Sequence, residues 1–179
     1  MPKHILSFSG SLRSASFNTG LIRAAMSLAA PELNITLADI SALPLYNQDN
    51  ESPLPPLVAE LKNHIRAADG ILIATPEYNR SIPGVLKNMI DWTSRPYGDS
   101  AWNGRAVATM GATAGNVGTA VAQSHLRQTL VYLNTRVMGQ PEFYLSNAME
   151  KFDNAGNLTD ENTKEHLKRL LESFQKFIS

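Results

Sequence analysis

Five short apolar runs alternate along this chain of 179 residues with five stretches of helical periodicity. The third run is almost continuously apolar, as expected of a central parallel strand that is covered on both faces. Such alternation predicts a doubly wound α/β fold with a parallel sheet and helices on both of its faces. The predicted strands cover residues 5–9, 35–38, 70–75, 106–110 and 136–138. The helical patterns cover about residues 21–29, 57–65, 83–90, 117–133 and 167–178.

The turn between the first strand and the first helix is rich in hydroxyl groups. It contains Ser11, Ser14 and Ser16, together with Arg13 and Asn18. A helix N-terminus adds free N–H groups and a partial positive charge, so the turn is suited to an anion and predicts a bound phosphate. The alternative is that Ser16 or Asn18 only caps the helix.

The glycine pattern of this turn argues against dinucleotides and nucleoside triphosphates as the bound phosphate ligand. Gly10 stands alone until Gly20, so the G-x-G-x-x-G pattern of dinucleotide sites is absent, and no G-x-x-x-x-G-K-[ST] string occurs. Hydroxyls and one guanidinium can hold a terminal monophosphate without a metal. Five strands with a phosphate turn after the first predict the strand order 2-1-3-4-5. In that order, ligands bind at the carboxyl ends of the central strands, so the loops after strands one, three and four are the candidate binding loops.

The loops after strands three and four differ in composition. Residues 75–84 contain Pro76 and Pro83, which stiffen a polar loop that can grip the edge of a flat ring through its backbone. Glu77 in this loop is a candidate general base, although ordering the loop or facing solvent is the favoured interpretation. Residues 111–118 are small, so their backbone can approach a ligand closely, or they form a simple flexible turn.

Composition excludes several classes of function. The formal net charge is zero, which argues against electrostatic binding of nucleic acid or of an anionic membrane. The absence of cysteine excludes disulfides, thiolate catalysis and cysteine-held metal centres. The four histidines are scattered without metal-ligand spacing, so no metal is expected. We expect one domain over residues 1–179, located in the cytoplasm, with no leader or membrane span.

Two motifs resemble those of the NADPH-dependent FMN reductase family, which has a flavodoxin-like fold and includes azo, quinone and chromate reductases. The first is Gly10-Ser11-Leu12-Arg13-x-x-Ser16-x-Asn18. The second is Pro76-Glu77-Tyr78-Asn79-x-Ser81-x-Pro83-Gly84-x-Leu86-Lys87-Asn88-x-x-Asp91-Trp92. The segment Leu43-Pro44-Leu45-Tyr46-Asn47 is similar to the family's segment after strand two. The resemblance extends from the first strand to the last helix.

The resemblance implies a set of cofactor-binding residues. For the FMN phosphate it implies Ser11, Arg13, Ser16, Phe17 and Asn18. For the isoalloxazine ring it implies Pro76, Glu77, Tyr78, Asn79 and Ser81, with Gly111 and Gly115 approaching from the third loop. Many relatives carry more glycine in that third loop. No catalytic side chain is implied, because the chemistry takes place at N5 of FMN.

The implied activity is two-electron transfer from NADPH or NADH through bound FMN to a small acceptor, with ping-pong kinetics. Quinones, azo compounds and chromate are the expected acceptors, and a homodimer or homotetramer is expected, with Trp92 and the helix from Pro83 as candidate subunit contacts. Arg80 is a candidate for a phosphate of NADPH or a substrate anion. Residues 41–56 are expected to form a lid, a rim, a subunit contact or a stiff surface loop. The alternative functions are an electron carrier or a flavin redox sensor that does not turn over nicotinamide.

Overall fold

The computed structural model describes residues 1–29 and 31–179. A parallel sheet forms its centre. The strands are β1 (Lys3–Ser9), β2 (Leu33–Leu37), β3 (Gly70–Ala74), β4 (Ala106–Ala112), β5 (Arg136–Val137) and β6 (Tyr144–Leu145). Their order is β2-β1-β3-β4-β5, with β6 also paired to β4, and every pairing between them is parallel. The strand order expected from the sequence is therefore confirmed.

Five α-helices connect the strands. They are α1 (Phe17–Leu28), α2 (Pro56–Ala67), α3 (Gly84–Thr93), α4 (Ala120–Tyr132) and α5 (Glu161–Phe177). The side chains of Ser16 and Asp160 cap α1 and α5 by accepting N–H groups of the first turn. Helix α4 begins three residues later than the periodicity predicts, because Gly118 and Thr119 adopt left-handed backbone angles, with φ of 63° and 71°.

The fifth strand of the predicted sheet consists of two short pieces. Arg136 and Val137 pair with the start of β4, and Tyr144 and Leu145 pair with its end. Residues 138–143 lie between the two pieces and contain a cis peptide bond before Pro141, and Met138 and Phe143 at their ends still bond to the backbone of β4. The sequence predicts the first piece but not the second, because two residues are too few to show a period.

Two apolar cores lie on opposite faces of the sheet. Helices α1 and α5 cover one core, and helices α2, α3 and α4 cover the other. Along β3, Ile71 and Ile73 pack into the second core, whereas Leu72 and Ala74 pack into the first. All four are fully buried, which explains why this strand shows no polar alternation. Burial of each large side chain contributes about 1.5–3 kcal/mol.

Candidate functional site

Three loops meet at the carboxyl ends of the central strands. We call them the β1 loop (residues 10–18), the β3 loop (residues 75–83) and the β4 loop (residues 113–119). The N–H of Gly10 donates to the carbonyl of Ala74 at 2.8 Å, and the N–H of Thr75 donates to the carbonyl of Met110 at 3.0 Å. These bonds extend the sheet ladder into the loops. A Cβ added at Gly10 would lie 3.1 Å from Cδ of Pro76, so the β1 and β3 loops are in close contact.

The β1 loop presents several backbone donors without a partner. Among residues 1–29 and 31–179, no hydrogen bond is donated by the N–H groups of Leu12, Ser14, Phe17 or Asn18. Phe17 and Asn18 are the first two residues of α1, where the helix offers its partial positive charge. Ser11 is 8% exposed, and the one hydrogen bond of its hydroxyl within the described residues is a long one of 3.4 Å from the N–H of Arg13. The Arg13 side chain is exposed.

Two predicted phosphate residues also have structural bonds. The hydroxyl oxygen of Ser16 accepts the N–H of Thr19 at 3.3 Å, so Ser16 caps α1 as the alternative interpretation expects. The amide of Asn18 is only 3% exposed. Its Nδ2 donates to the carbonyl of Ala112 at 3.0 Å, and its Oδ1 accepts the Ala112 N–H at 2.9 Å. The Asn18 side chain therefore joins α1 to the end of β4, and its backbone N–H remains for a ligand.

Glu77 orders the β3 loop. Its Oε2 accepts the N–H groups of Val121 and Ala122, each at 3.1 Å, and its Oε1 accepts Nη1 of Arg80 at 3.3 Å. Thr119 precedes α4 but makes no capping bond with its side chain. Glu77 therefore caps α4 from 44 residues away. These bonds favour the ordering role over the general-base role, because both carboxylate oxygens already have donors.

The tip of the β3 loop is a two-residue turn. Tyr78 and Ser81 exchange two backbone hydrogen bonds, each of 3.0 Å. Asn79 and Arg80 between them have φ of 51° and 62°, which is the pattern of a type I′ turn. The hydroxyl of Ser81 lies 3.1 Å from Nδ1 of His125 on α4, a second contact between this loop and that helix.

Gly111 and Gly115, both predicted for the third loop, have different environments, because Gly111 lies within β4 and only Gly115 lies in the β4 loop. Gly111 is buried, and a Cβ there would lie 2.0 Å from Oγ1 of Thr119 and 2.4 Å from the carbonyl oxygen of Thr75. Only glycine fits this contact of β4 with Thr75 and Thr119, so packing alone explains Gly111. Gly115 is exposed, and the nearest atom to its added Cβ is Oγ1 of Thr113 at 4.0 Å. The roles of both as flavin contacts stay predictions.

Comparison with known proteins identifies the family. A profile described as NADPH-dependent FMN reductase matches residues 4–150. The chain belongs to this family. A 2-hydroxy-1,4-benzoquinone reductase from a Burkholderia species is 45% identical over 169 residues, which is 94% of this chain and 92% of that protein. An NAD(P)H-dependent FMN reductase of Pseudomonas aeruginosa is 46% identical over 175 residues, covering 97% and 94% of the two chains.

A solved structure extends this similarity to the whole fold. The flavoenzyme FerB of Paracoccus denitrificans, an NAD(P)H:(acceptor) oxidoreductase, is 39% identical, with a TM-score of 0.91 and coverage of 98% and 97% of the two chains. Members of the NADPH-dependent FMN reductase family use FMN and take electrons from NAD(P)H. The chain is accordingly an oxidoreductase with a flavodoxin-like fold.

Residues 41–56 pack along the side of α3. Nε1 of Trp92 donates to the carbonyl of Pro44 at 2.8 Å. Glu51 accepts Nε of Arg95 and the hydroxyl of Tyr46, each at 2.6 Å, and these two donors hold the pKa of the Glu51 carboxyl below its usual range. Trp92 is fully buried within the chain, so the suggestion that its side chain forms a subunit contact is wrong.

The hollows of the surface lie partly outside the three loops. A hollow of about 360 Å³ borders Ser11 and Leu12 on the side of β2. A hollow of about 550 Å³ lies between the end of β2 and α2, and it shares no residue with the three loops.

In the described part of the chain, no three His, Asp or Glu side chains cluster so as to hold a metal ion. No described helix is both long and apolar enough to cross a membrane.

Proposed function

We propose that this chain is an NAD(P)H oxidoreductase that reduces quinones, and also azo compounds, chromate or similar small acceptors, in a ping-pong cycle on bound FMN. The observation that carries this proposal is the close contact of the β1 and β3 loops, each of which offers several backbone N–H groups that donate no hydrogen bond among the described residues. The names of the relatives place quinones first, because one acts on 2-hydroxy-1,4-benzoquinone.

The donor set of the β1 loop fits a terminal phosphate. The N–H groups of Phe17 and Asn18 lie at the positive end of α1, and the hydroxyls of Ser11 and Ser16 and the guanidinium of Arg13 are near them in sequence. This set neutralises a dianion through helix charge, neutral donors and one cation, with no need for a metal. Because Gly10 allows close contact with Pro76, the same loop adjoins the residues proposed for the ring.

The β3 loop fits the polar edge of a flat ring. FMN, when bound, supplies two-electron chemistry at its flavin ring. The N–H groups of Glu77 and Asn79 donate no hydrogen bond among the described residues, so they can donate to the edge of the ring that gains negative charge. Pro76, Tyr78 and Ser81 complete the lining that we propose. The capping bonds of Glu77 hold these donors in place before the cofactor arrives, which lowers the entropy cost of binding.

The experiment is an anaerobic titration followed by absorbance. Protein loaded with FMN should lose its flavin bands when NADPH is added and regain them with a benzoquinone. Initial rates at several fixed quinone concentrations should give parallel double-reciprocal lines. Flavin bands that resist NADPH but bleach with dithionite would instead identify an electron carrier or sensor. Failure to bind FMN at all would refute the proposed phosphate loop.

We also propose that residues 1–179 act as one domain, in the cytoplasm, and as a homodimer or homotetramer. The proposal on assembly rests on the family resemblance, and the exposed side chains of Leu45 (84%), Tyr97 (88%) and Tyr132 (84%) are candidates for the contact. Sedimentation velocity at micromolar concentration tests this point, and a monomer there would contradict it. Fractionation of expressing cells tests the location.

A further inference from the structure

Arg80 occupies an unfavourable backbone position. It is the second central residue of the type I′ turn between Tyr78 and Ser81, with φ of 62°. Glycine is favoured there, because a left-handed conformation costs a residue with a Cβ roughly 1 kcal/mol or more. Asn79 beside it tolerates such angles, but arginine has no short side chain that could bond locally to the backbone. An arginine found in a conformation with this cost is a candidate for a role of its side chain.

The guanidinium of Arg80 is held at one point and otherwise open to solvent. The side chain is 69% exposed, and its bond is the 3.3 Å contact with Oε1 of Glu77. The Glu77 carboxylate is 9% exposed and also accepts two N–H groups of α4, so part of its charge is already compensated by the helix. Among the described residues its other N–H donors make no hydrogen bond, so Arg80 presents a cation from the β3 loop, the loop proposed to line the ring.

We propose that Arg80 binds a phosphate group of the nicotinamide donor, an inference that rests on the function proposed above. A planar guanidinium matches two phosphate oxygens, and charge-assisted bonds of this kind are the strong ones. The nicotinamide nucleotides offer two kinds of phosphate group to a guanidinium. NADPH and NADH share a pyrophosphate, and NADPH alone carries the 2′-phosphate. Simple quinones carry no phosphate, so Arg80 sets the affinity for the donor and not for the acceptor.

The substitutions Arg80→Gly and Arg80→Lys test this role. Glycine suits the turn better than arginine does, so this variant is expected to fold at least as well as the wild type. Lysine keeps the charge without the planar fork. Arg169→Gln is the control, because Arg169 is exposed on α5 and belongs to none of the three loops.

Two measurements are made on each FMN-loaded protein. The first is KM and kcat for NADPH and for NADH at a fixed benzoquinone concentration. The second is calorimetric binding of 2′,5′-ADP and of ADP, which needs no turnover. Arg80→Gly should raise KM roughly tenfold, the scale of one charge-assisted contact in solvent, and Arg80→Lys should raise it less. The KM of the wild type should rise with salt, and this dependence should weaken in Arg80→Gly. Arg169→Gln should change neither quantity.

Comparison of NADPH with NADH, and of 2′,5′-ADP with ADP, shows which of the two phosphate groups Arg80 binds. A rise in KM for NADPH alone, with loss of affinity for 2′,5′-ADP, supports binding of the 2′-phosphate. An equal rise for both donors, with weaker ADP binding, supports binding of the pyrophosphate. Unchanged KM and unchanged nucleotide affinity would overturn the proposal, as would an effect confined to the quinone. If the wild type oxidises neither donor, the proposed function fails, and the calorimetric titrations still decide whether Arg80 binds phosphate.

Discussion

The amide of Asn18 should contribute more to folding than to cofactor binding. It is 3% exposed and makes two bonds to the backbone of Ala112, which is itself 2% exposed. Asn18→Ala leaves a buried N–H and a buried carbonyl without partners, at about 1–3 kcal/mol each. Alanine recovers about 0.5 kcal/mol of helix propensity. The expected loss is therefore about 1.5–5.5 kcal/mol, or roughly 3–20 °C in Tm for a chain of this size.

Urea and thermal unfolding of the protein without FMN measure this effect directly. Asn162→Ala is the matched control, because Asn162 is exposed in the first turn of α5 and its side chain makes no hydrogen bond within the described residues. If Asn18→Ala changes the free energy of unfolding by less than about 0.5 kcal/mol, yet weakens FMN binding, the reasoning is refuted. Its side chain would then act on the cofactor phosphate.

A second substitution tests the same bonds through pH. In Asn18→Asp one oxygen still accepts the Ala112 N–H, but the other faces the Ala112 carbonyl, which only a protonated carboxyl can donate to. The folded protein should therefore raise the pKa of this carboxyl above its unfolded value of about 3.9. The variant is then closest to the wild type below that unfolded value and loses stability as pH rises through the folded pKa. A stability gap that does not change between about pH 4 and pH 8 would contradict this geometry.

Three further predictions concern ion pairs and caps. Glu77→Ala should destabilise the FMN-free protein by about 1–2 kcal/mol, as measured by urea unfolding, because α4 loses its cap. Lys62 is 1% exposed and donates to Asp99 and to the carbonyl of Arg95. Lys62→Met should therefore change stability by under about 1.5 kcal/mol, whereas Asp99→Ala strands a buried charge and should cost about 2–4 kcal/mol. Glu51→Gln should remove stability that is present above about pH 4.5 and lost as pH falls through the lowered pKa of Glu51, so the two proteins should converge in acid.

The strand order and the place of the three loops could be predicted because they depend on long apolar runs. β3 and β4 are buried along their whole length and β1 over its last five residues, so each contains an apolar run that is visible in the sequence, although β1 begins two residues earlier and β4 ends two residues later than predicted. β6 could not be predicted, since Tyr144 and Leu145 form a strand only by pairing with the end of β4. A strand of two residues has no periodicity and exists through its partner.

The hydrogen-bond partners of the polar side chains in the site could not be predicted from the sequence. The sequence shows that Asn18 and Glu77 are residues that cap or bond to backbone, but not which backbone they reach. Their partners lie 94 and 44 residues away and depend on the packing of α1 and α4 against β4. Because Thr119 adopts a left-handed backbone angle, α4 needs a cap from another loop. Threonine rarely adopts this angle, so the sequence could not predict it.

These bonds change how the cofactor site should be understood. Asn18 belongs to the first motif and Glu77 to the second, yet their side-chain polar atoms already bond to the protein, to backbone in every case except the bond from Arg80 to Glu77. The free donors that remain in the β1 and β3 loops are largely N–H groups, whose directions depend on the conformation of each loop. Substitutions that loosen these clamps should therefore weaken FMN binding without touching the cofactor. Their loss of FMN affinity should follow their loss of stability, whereas substitution of Arg13 or Ser11 should weaken FMN binding with little change in the stability of the FMN-free protein.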